Sequence, residues 1–330
     1  MSVANFLKLS TACGHSGAPK PAAALINRAE WHLTTLIAVT FFASVFFAFV
    51  RGQAVNWAEF FPNILVGVEL VLVGVCVRRS RYLARTALGL IAVGLIICFL
   101  PFYAILTFTV LPFSNPMVDQ QLLLADAAFG FNWVDAVNGL ARYPAVASAL
   151  WYIYFSIMPQ TLILIAMLSF LKRDVEIYRF VAVGFLSMIM SVAVWWLIPS
   201  VGPAAYGMVS EAVQQQTHLI ANAEYGERMW RYATEGNTLI DKSKLDGVIA
   251  FPSMHIVMTC MVVWFARRTW LFWPLLILNI GMPVATVLQG GHHIMDLFGG
   301  LVVFGVCLWA SVRLVPKESG KSTFKRSADI

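Results

Sequence analysis

Residues 290–314 read GGHHIMDLFGGLVVFGVCLWASVRL. After Asp296 the stretch stays apolar as far as Arg313, close to the roughly 20 residues a bilayer core demands of a helix. On that helix His292 and Asp296 are four residues apart and share a face, so their side chains can meet. An ionisable pair at the mouth of an apolar helix is costly in a membrane and marks a functional site by default. His255, in Phe251-Pro252-Ser253-Met254-His255, stands at the mouth of another apolar run two spans earlier.

Composition agrees with this reading. The chain's 330 residues are 59% hydrophobic and 12% charged, with a mean hydropathy of +0.75. A soluble domain carries about 25% charged residues. The expected fold is an all-α polytopic membrane protein. Eight apolar runs approach spanning length: about 33–50, 62–77, 86–111, 145–171, 179–198, 248–266, 270–288 and 293–313. Pro101 is expected to kink the third. If the N-terminus is cytoplasmic, the inside segments carry 17 of the 23 Lys and Arg. That satisfies the positive-inside rule and puts both termini inside. His255 and His292 then begin their spans from the same, outer face. The net charge of +6 is accounted for by this asymmetry, so no nucleic-acid partner is expected. Cys13, Cys76, Cys98, Cys260 and Cys307 have no metal or disulfide spacing.

The expected organisation is a cytoplasmic tail over 1–32 without a cleavable signal peptide, a membrane domain over 33–314, and a basic cytoplasmic tail over 315–330. Two outer segments are too long for turns. Residues 112–144 contain Asp119 and Asp126, seven apart on one helical face, then Phe129, Phe131 and Trp133. An interfacial helix anchored by the aromatics is expected, with a re-entrant segment as the alternative. Residues 199–247 open with Pro199-Ser200-Val201-Gly202-Pro203 and read as a cap over the site. In the fourth span Tyr152, Ser156 and Gln160 form a polar stripe, which serves either as packing glue or as the lining of a substrate cleft.

A histidine backed by a carboxylate is held in one tautomer and made a better nucleophile, and a second histidine can protonate a leaving group. Phe251-Pro252-Ser253-Met254-His255 and Gly291-His292-His293-Ile294-Met295-Asp296 resemble the second and third signatures of the type 2 phosphatidic acid phosphatase superfamily. Pro199-Ser200-Val201-Gly202-Pro203 resembles the first signature of its inositol phosphorylceramide synthase-like branch, which has bacterial relatives. The resemblance covers about residues 119–310. It implies a lipid phosphatase or phosphotransferase with His292 as nucleophile, Asp296 orienting it and His255 as general acid, without metal or cofactor. His293 has no role in the motif and is expected to make a structural or substrate-edge contact. The substrate implied is a lipid phosphate or phospholipid, with water, a lipid or a polyol as acceptor. A bacterial inner membrane with a periplasmic site follows as the expected location.

The chain also departs from the superfamily pattern. No K-x₆-R-P string occurs, Thr286 replaces the third-signature arginine, and Met254 replaces the second-signature glycine. Ser253, Thr286, Gln289 and backbone N–H groups, with Gly202 and Pro203, can supply part of a phosphate clamp. Its cation is expected among Arg142, Arg228, Arg231, Lys242 and Lys244. Two other classes stay open on residues alone. One is a metal enzyme using His255, His292, His293 and Asp296. The other is a transporter or scaffold, against which no inverted repeat is visible.

Overall fold

The computed structural model describes residues 27–78, 80, 83–242 and 247–316; Lys244 and most of both predicted tails lie outside them. Every predicted apolar run contains helix. α1 (Arg28–Val50), α2 (Trp57–Val77), α3 (Ala84–Thr109), α8 (Asp174–Leu197) and α14 (Ile294–Leu314) are each long and apolar enough to cross a membrane. The fold is that of an all-α polytopic membrane protein.

The remaining predicted spans need correction. The fourth is two helices, α6 (Pro144–Phe155) and α7 (Ile157–Phe170), meeting at 44°. Its break falls at Ser156, whose hydroxyl turns back onto Ile153 O at 2.6 Å. Such a bond competes with the helical ladder and bends it. The sixth span does not begin at 248 but at α11 (Met254–Ala266), because Pro252 lacks the N–H a helix needs and disfavours helical backbone at Phe251. The seventh is split at Gly281 into α12 (Phe272–Ile280) and α13 (Met282–Leu288). Pro101, in contrast, sits inside an unbroken α3.

The core is built from α1, α3, α7, α8, α11 and α14, with Phe99 stacked on Phe185 at a centroid separation of 4.0 Å. α2 lies against α3 through small residues. A Cβ on Gly94 would come within 2.7 Å of Gly67 O, an approach only glycine permits. The two ends of the bundle differ in chemistry. At one, Glu30 of α1 pairs with Arg78 and Tyr178, and His32 Nδ1 meets Leu314 O at 2.7 Å. Arg173, Arg179, Arg267 and Arg268 gather at this end.

At the other end sit both histidine segments and the cap. The cap is more structured than its polarity suggests: it contains α9 (Glu211–Thr217) and α10 (Ala223–Glu235). It is tied to the α1–α2 loop by a short parallel pairing of β1 (Ala54–Val55) with β2 (Leu239–Ile240). Residues 112–144 form α4 (Asp119–Ala128) and α5 (Trp133–Leu140). Their expected orientation is reversed in part. Asp119 and Asp126 are buried, and Trp133 is buried with its Nε1–H donating to Val287 O at 3.0 Å, so it is no headgroup anchor.

Candidate active site

α14 starts at Ile294, and the loop before it carries His292 and His293. His292 Nδ1–H donates to Asp296 Oδ2 at 3.0 Å, and the His293 backbone N–H donates to the same oxygen at 2.9 Å. A carboxylate only accepts, so Nδ1 carries the proton and Nε2 keeps its lone pair. His292 is 6% exposed and Asp296 fully buried. The pair is therefore screened from water, and the ring cannot swing freely.

The other two signature segments are locked onto this loop. Gly202 has φ +85° and a Cβ there would meet Gly291 O at 2.6 Å, while Gly291 has φ +63° and faces Ala221. Both positions need glycine for conformation and for space. Ser253 N–H donates to Asp296 O at 3.0 Å, and the start of α11 packs on Gly299 and Gly300. His255, on the first turn of α11, stacks on Tyr154 with centroids 3.9 Å apart and lies within electrostatic reach of His292. Tyr154 also closes on Gly290, where any side chain would collide with its ring.

A cavity of about 460 Å³ opens beside these groups, its wall including Tyr154, Tyr225, Arg228, His255 and Gly290. His292 stands one step behind Gly290 and is not part of that wall. A second, purely apolar cavity of about 120 Å³ shares Met158 with the first, and Met254, Met258 and Gly184 line it.

The expected site residues thus separate. Arg228 reaches the cavity wall. Arg142 and Arg231 are exposed and outside it. Lys242 binds α2 instead: its N–H donates to Glu59 and its Nζ to Asn63 Oδ1 at 3.2 Å. Ser253 and Thr286 each bury a hydroxyl that has no partner among the described residues. Gln289 is a brace, its Nε2 donating to Ala147 O at 3.1 Å and Thr217 O at 2.8 Å. Pro203 is buried and opens the short helical turn after Gly202. Of the polar stripe, Tyr152 is 69% exposed, while Ser156 and Gln160 bond to each other and Gln160 reaches Asn279 of α12. That is packing glue. Among the described residues no three His, Cys, Asp or Glu side chains converge as metal ligands.

Sequence reasoning passed over one network. His293 Nδ1–H donates to Asp126 Oδ2 at 2.7 Å, and Ile294 N–H donates to Asp126 Oδ1 at 3.0 Å. On its other side His293 Nε2 lies 3.6 Å from Asp119 Oδ1. Asp119 in turn accepts Ser200 Oγ–H at 2.8 Å and the N–H groups of Val201 and Gly202. One buried Asp–His–Asp bridge therefore holds α4, the 199–203 loop and the start of α14 in register. The seven-residue spacing of the two aspartates was the available signal. Tyr154 and Tyr225 carried none.

Fold and site together define a multi-pass membrane protein with a buried histidine–aspartate pair and a second histidine nearby. The family model described as the PAP2 superfamily matches residues 120–310. The chain belongs to this superfamily, and with it to the phosphatase- or phosphotransferase-type enzymes that act on lipid phosphates. No curated protein and no solved structure matches the chain.

Proposed function

We propose that this protein cleaves a lipid phosphoester through a phosphoryl-His292 intermediate and passes the phosphoryl group to a hydroxyl, in the manner of the inositol phosphorylceramide synthase-like branch. The observation that carries the reading is the His292–Asp296 bond at 3.0 Å. It leaves Nε2 as the attacking nitrogen. Attack forms the N–P bond as the lipid's P–O bond breaks, and His255 gives its proton to the departing oxygen. In the second half His255 takes a proton from water or an alcohol, whose oxygen attacks phosphorus and releases His292. An arriving phosphate favours the protonated form of His255, since an opposite charge nearby stabilises imidazolium.

A lipid substrate is supported by the apolar cavity next to the His255 cavity, the two sharing Met158 in their walls. Arg228 is the candidate cation for the phosphate. Thr286, buried and neutral, cannot replace the charge of the superfamily's third-signature arginine, which favours transfer over simple hydrolysis. The cations gathered at the opposite end of the bundle support a site facing the outer side, periplasmic in a bacterial inner membrane.

The test is a thin-layer assay in mixed micelles with labelled phosphatidic acid and phosphatidylinositol, with and without diacylglycerol or ceramide. A new labelled lipid that needs both acceptor and His292 supports transfer. Free phosphate released regardless of acceptor assigns a hydrolase. Equal turnover by His292→Ala would falsify the mechanism.

A further inference from the structure

The end of the bundle away from the histidines has a cavity of its own, about 290 Å³ in volume. Arg173, Arg179, Arg267 and Arg268 line it, with Trp264 and Trp309 on its flank and Glu176 as its one acid. These arginines come from separate elements: the α7–α8 turn, the first turns of α8 and the α11–α12 turn. Basic loops orient a membrane protein, and scattered, solvated arginines suffice for that. Here they converge on one concavity.

Their anchoring is also specific. Arg173 Nη2 donates to Arg268 O at 2.7 Å, Arg179 Nε to Val315 O at 2.9 Å, and Arg267 Nη1 to Trp264 O at 2.7 Å. Arg267 is further held over the Trp264 ring, 3.9 Å from its centroid. A guanidinium carries five N–H donors, so each of these three is fixed by one while others remain to bind an anion. Among the described residues none of the four arginines stands within ion-pair distance of a carboxylate. Burial, and then the neighbouring Arg268, hold the Arg267 guanidinium below its usual pKa, while Glu176 acts against them.

We propose that this cavity binds the headgroup of an anionic phospholipid. Two features favour a lipid over a soluble anion. Trp264 and Trp309 are 40% and 61% exposed and sit near the ends of α11 and α14, and indole rings at the ends of spanning helices favour the headgroup region. Gly305 and Leu308, which precede Trp309 on α14 and so lie on its membrane side, continue the wall as an apolar face along which acyl chains can lie. Basic pockets between transmembrane helices hold such headgroups by the same chemistry.

The experiment uses delipidated full-length protein in detergent, titrated separately with dioctanoyl phosphatidylglycerol, dioctanoyl phosphatidylcholine and inorganic phosphate, and followed by thermal shift. Phosphatidylglycerol is expected to raise the melting temperature, the other two not. In Arg267→Gln/Arg268→Gln each lost charge weakens binding about fivefold and the pair about 30-fold. Turnover of a water-soluble phosphate ester is expected to stay unchanged, since neither arginine is near the histidines. If the double variant does not fold, Arg268→Gln alone reads the same effect at about fivefold. A phosphatidylglycerol response that survives the substitutions belongs to the histidine site and overturns the proposal. So does equal binding of phosphatidylcholine, or a response to inorganic phosphate in place of the lipid.

Discussion

Replacing Asp126 with alanine tests whether the buried Asp–His–Asp bridge positions the nucleophile. Asp126 accepts two bonds, from His293 Nδ1 at 2.7 Å and Ile294 N at 3.0 Å, and His293 is fully buried. Alanine leaves both donors without a partner where water does not reach. Each unmade buried bond costs about 1–3 kcal/mol, and breaking a buried ionic pair about 3–5 kcal/mol. His293→Ala is milder, because Asp119 keeps Ser200, Val201 and Gly202 and Asp126 keeps Ile294. In the double variant the unpaired imidazole is gone, so the losses should fall short of their sum by about 2 kcal/mol, within the range of coupled neighbours. Ile294 opens the helix that carries Asp296, so slack there displaces His292. A shift of about 1 Å at a reacting atom costs on the order of 100-fold in turnover. Stability is read by unfolding in SDS mixed micelles, and turnover by phosphate release or headgroup transfer. Additive destabilisation, or Asp126→Ala turning over like the wild type, would refute the bridge as a positioning device.

Four further outcomes are expected. His292→Ala should abolish turnover at a cost of about 1–3 kcal/mol in unfolding, since its one side-chain bond is to Asp296, which keeps the His293 N–H; a larger loss would make the pair structural. Arg228→Ala should lower kcat/KM about 10–100-fold, as removal of one charge-assisted contact does, whereas Lys242→Ala should not; equal effects would deny Arg228 its place in the phosphate site. Gly184→Leu should fill the apolar cavity and reduce activity on long-chain lipids while sparing short-chain phosphate esters, and parallel losses would remove that cavity from the substrate path. Burial, then Asp119, pushes the Tyr206 phenol up to about 12, against about 10 in an unfolded chain. The folded form keeps that proton between pH 10 and 12 and the unfolded form loses it, so stability falls as pH rises through this window; Tyr206→Phe should show a shallower alkaline decline, and identical profiles would refute it.

Periodicity and hydropathy made the eight apolar runs legible, and helical spacing made His292 and Asp296 a pair. What they missed depends on which way a helix faces its neighbours. The stripe Tyr152–Ser156–Gln160 was visible, yet Tyr154 is the residue that meets His255. Two positions along a helix are about 200° around it, and no single sequence says which side the active site occupies. The five cap and loop cations looked equivalent because charge alone has no address. Arg228 sits one turn after Tyr225 on α10 and reaches the cavity, while Lys242 is captured by Glu59, far away in sequence. Asp119 and Asp126 were legible as sharing one helical face, but their partner, His293, is more than 160 residues downstream.

The two aspartates of the bridge are well paired, whereas His293 Nε2 meets Asp119 only as a 3.6 Å ion-pair contact. Two carboxylates and an imidazole buried near the mouth of a bundle are costly unless each is satisfied, and a half-satisfied network is worse than an apolar one. Asp119 alone takes two backbone N–H groups and a hydroxyl from the loop that opens the cap, and Asp126 takes the first N–H of α14. Both elements end in unpaired backbone donors that the membrane mouth could not otherwise satisfy. The charges that fix the loop thereby solve the helix-start problem of α14, and the residue brought to that start is His292. The position of the proposed nucleophile and that of the cap are then one variable. On the proposed transferase reading, which must admit an acceptor yet exclude water, this coupling is a gain, because a cap lifted away from Gly291 slackens the same loop that carries His292.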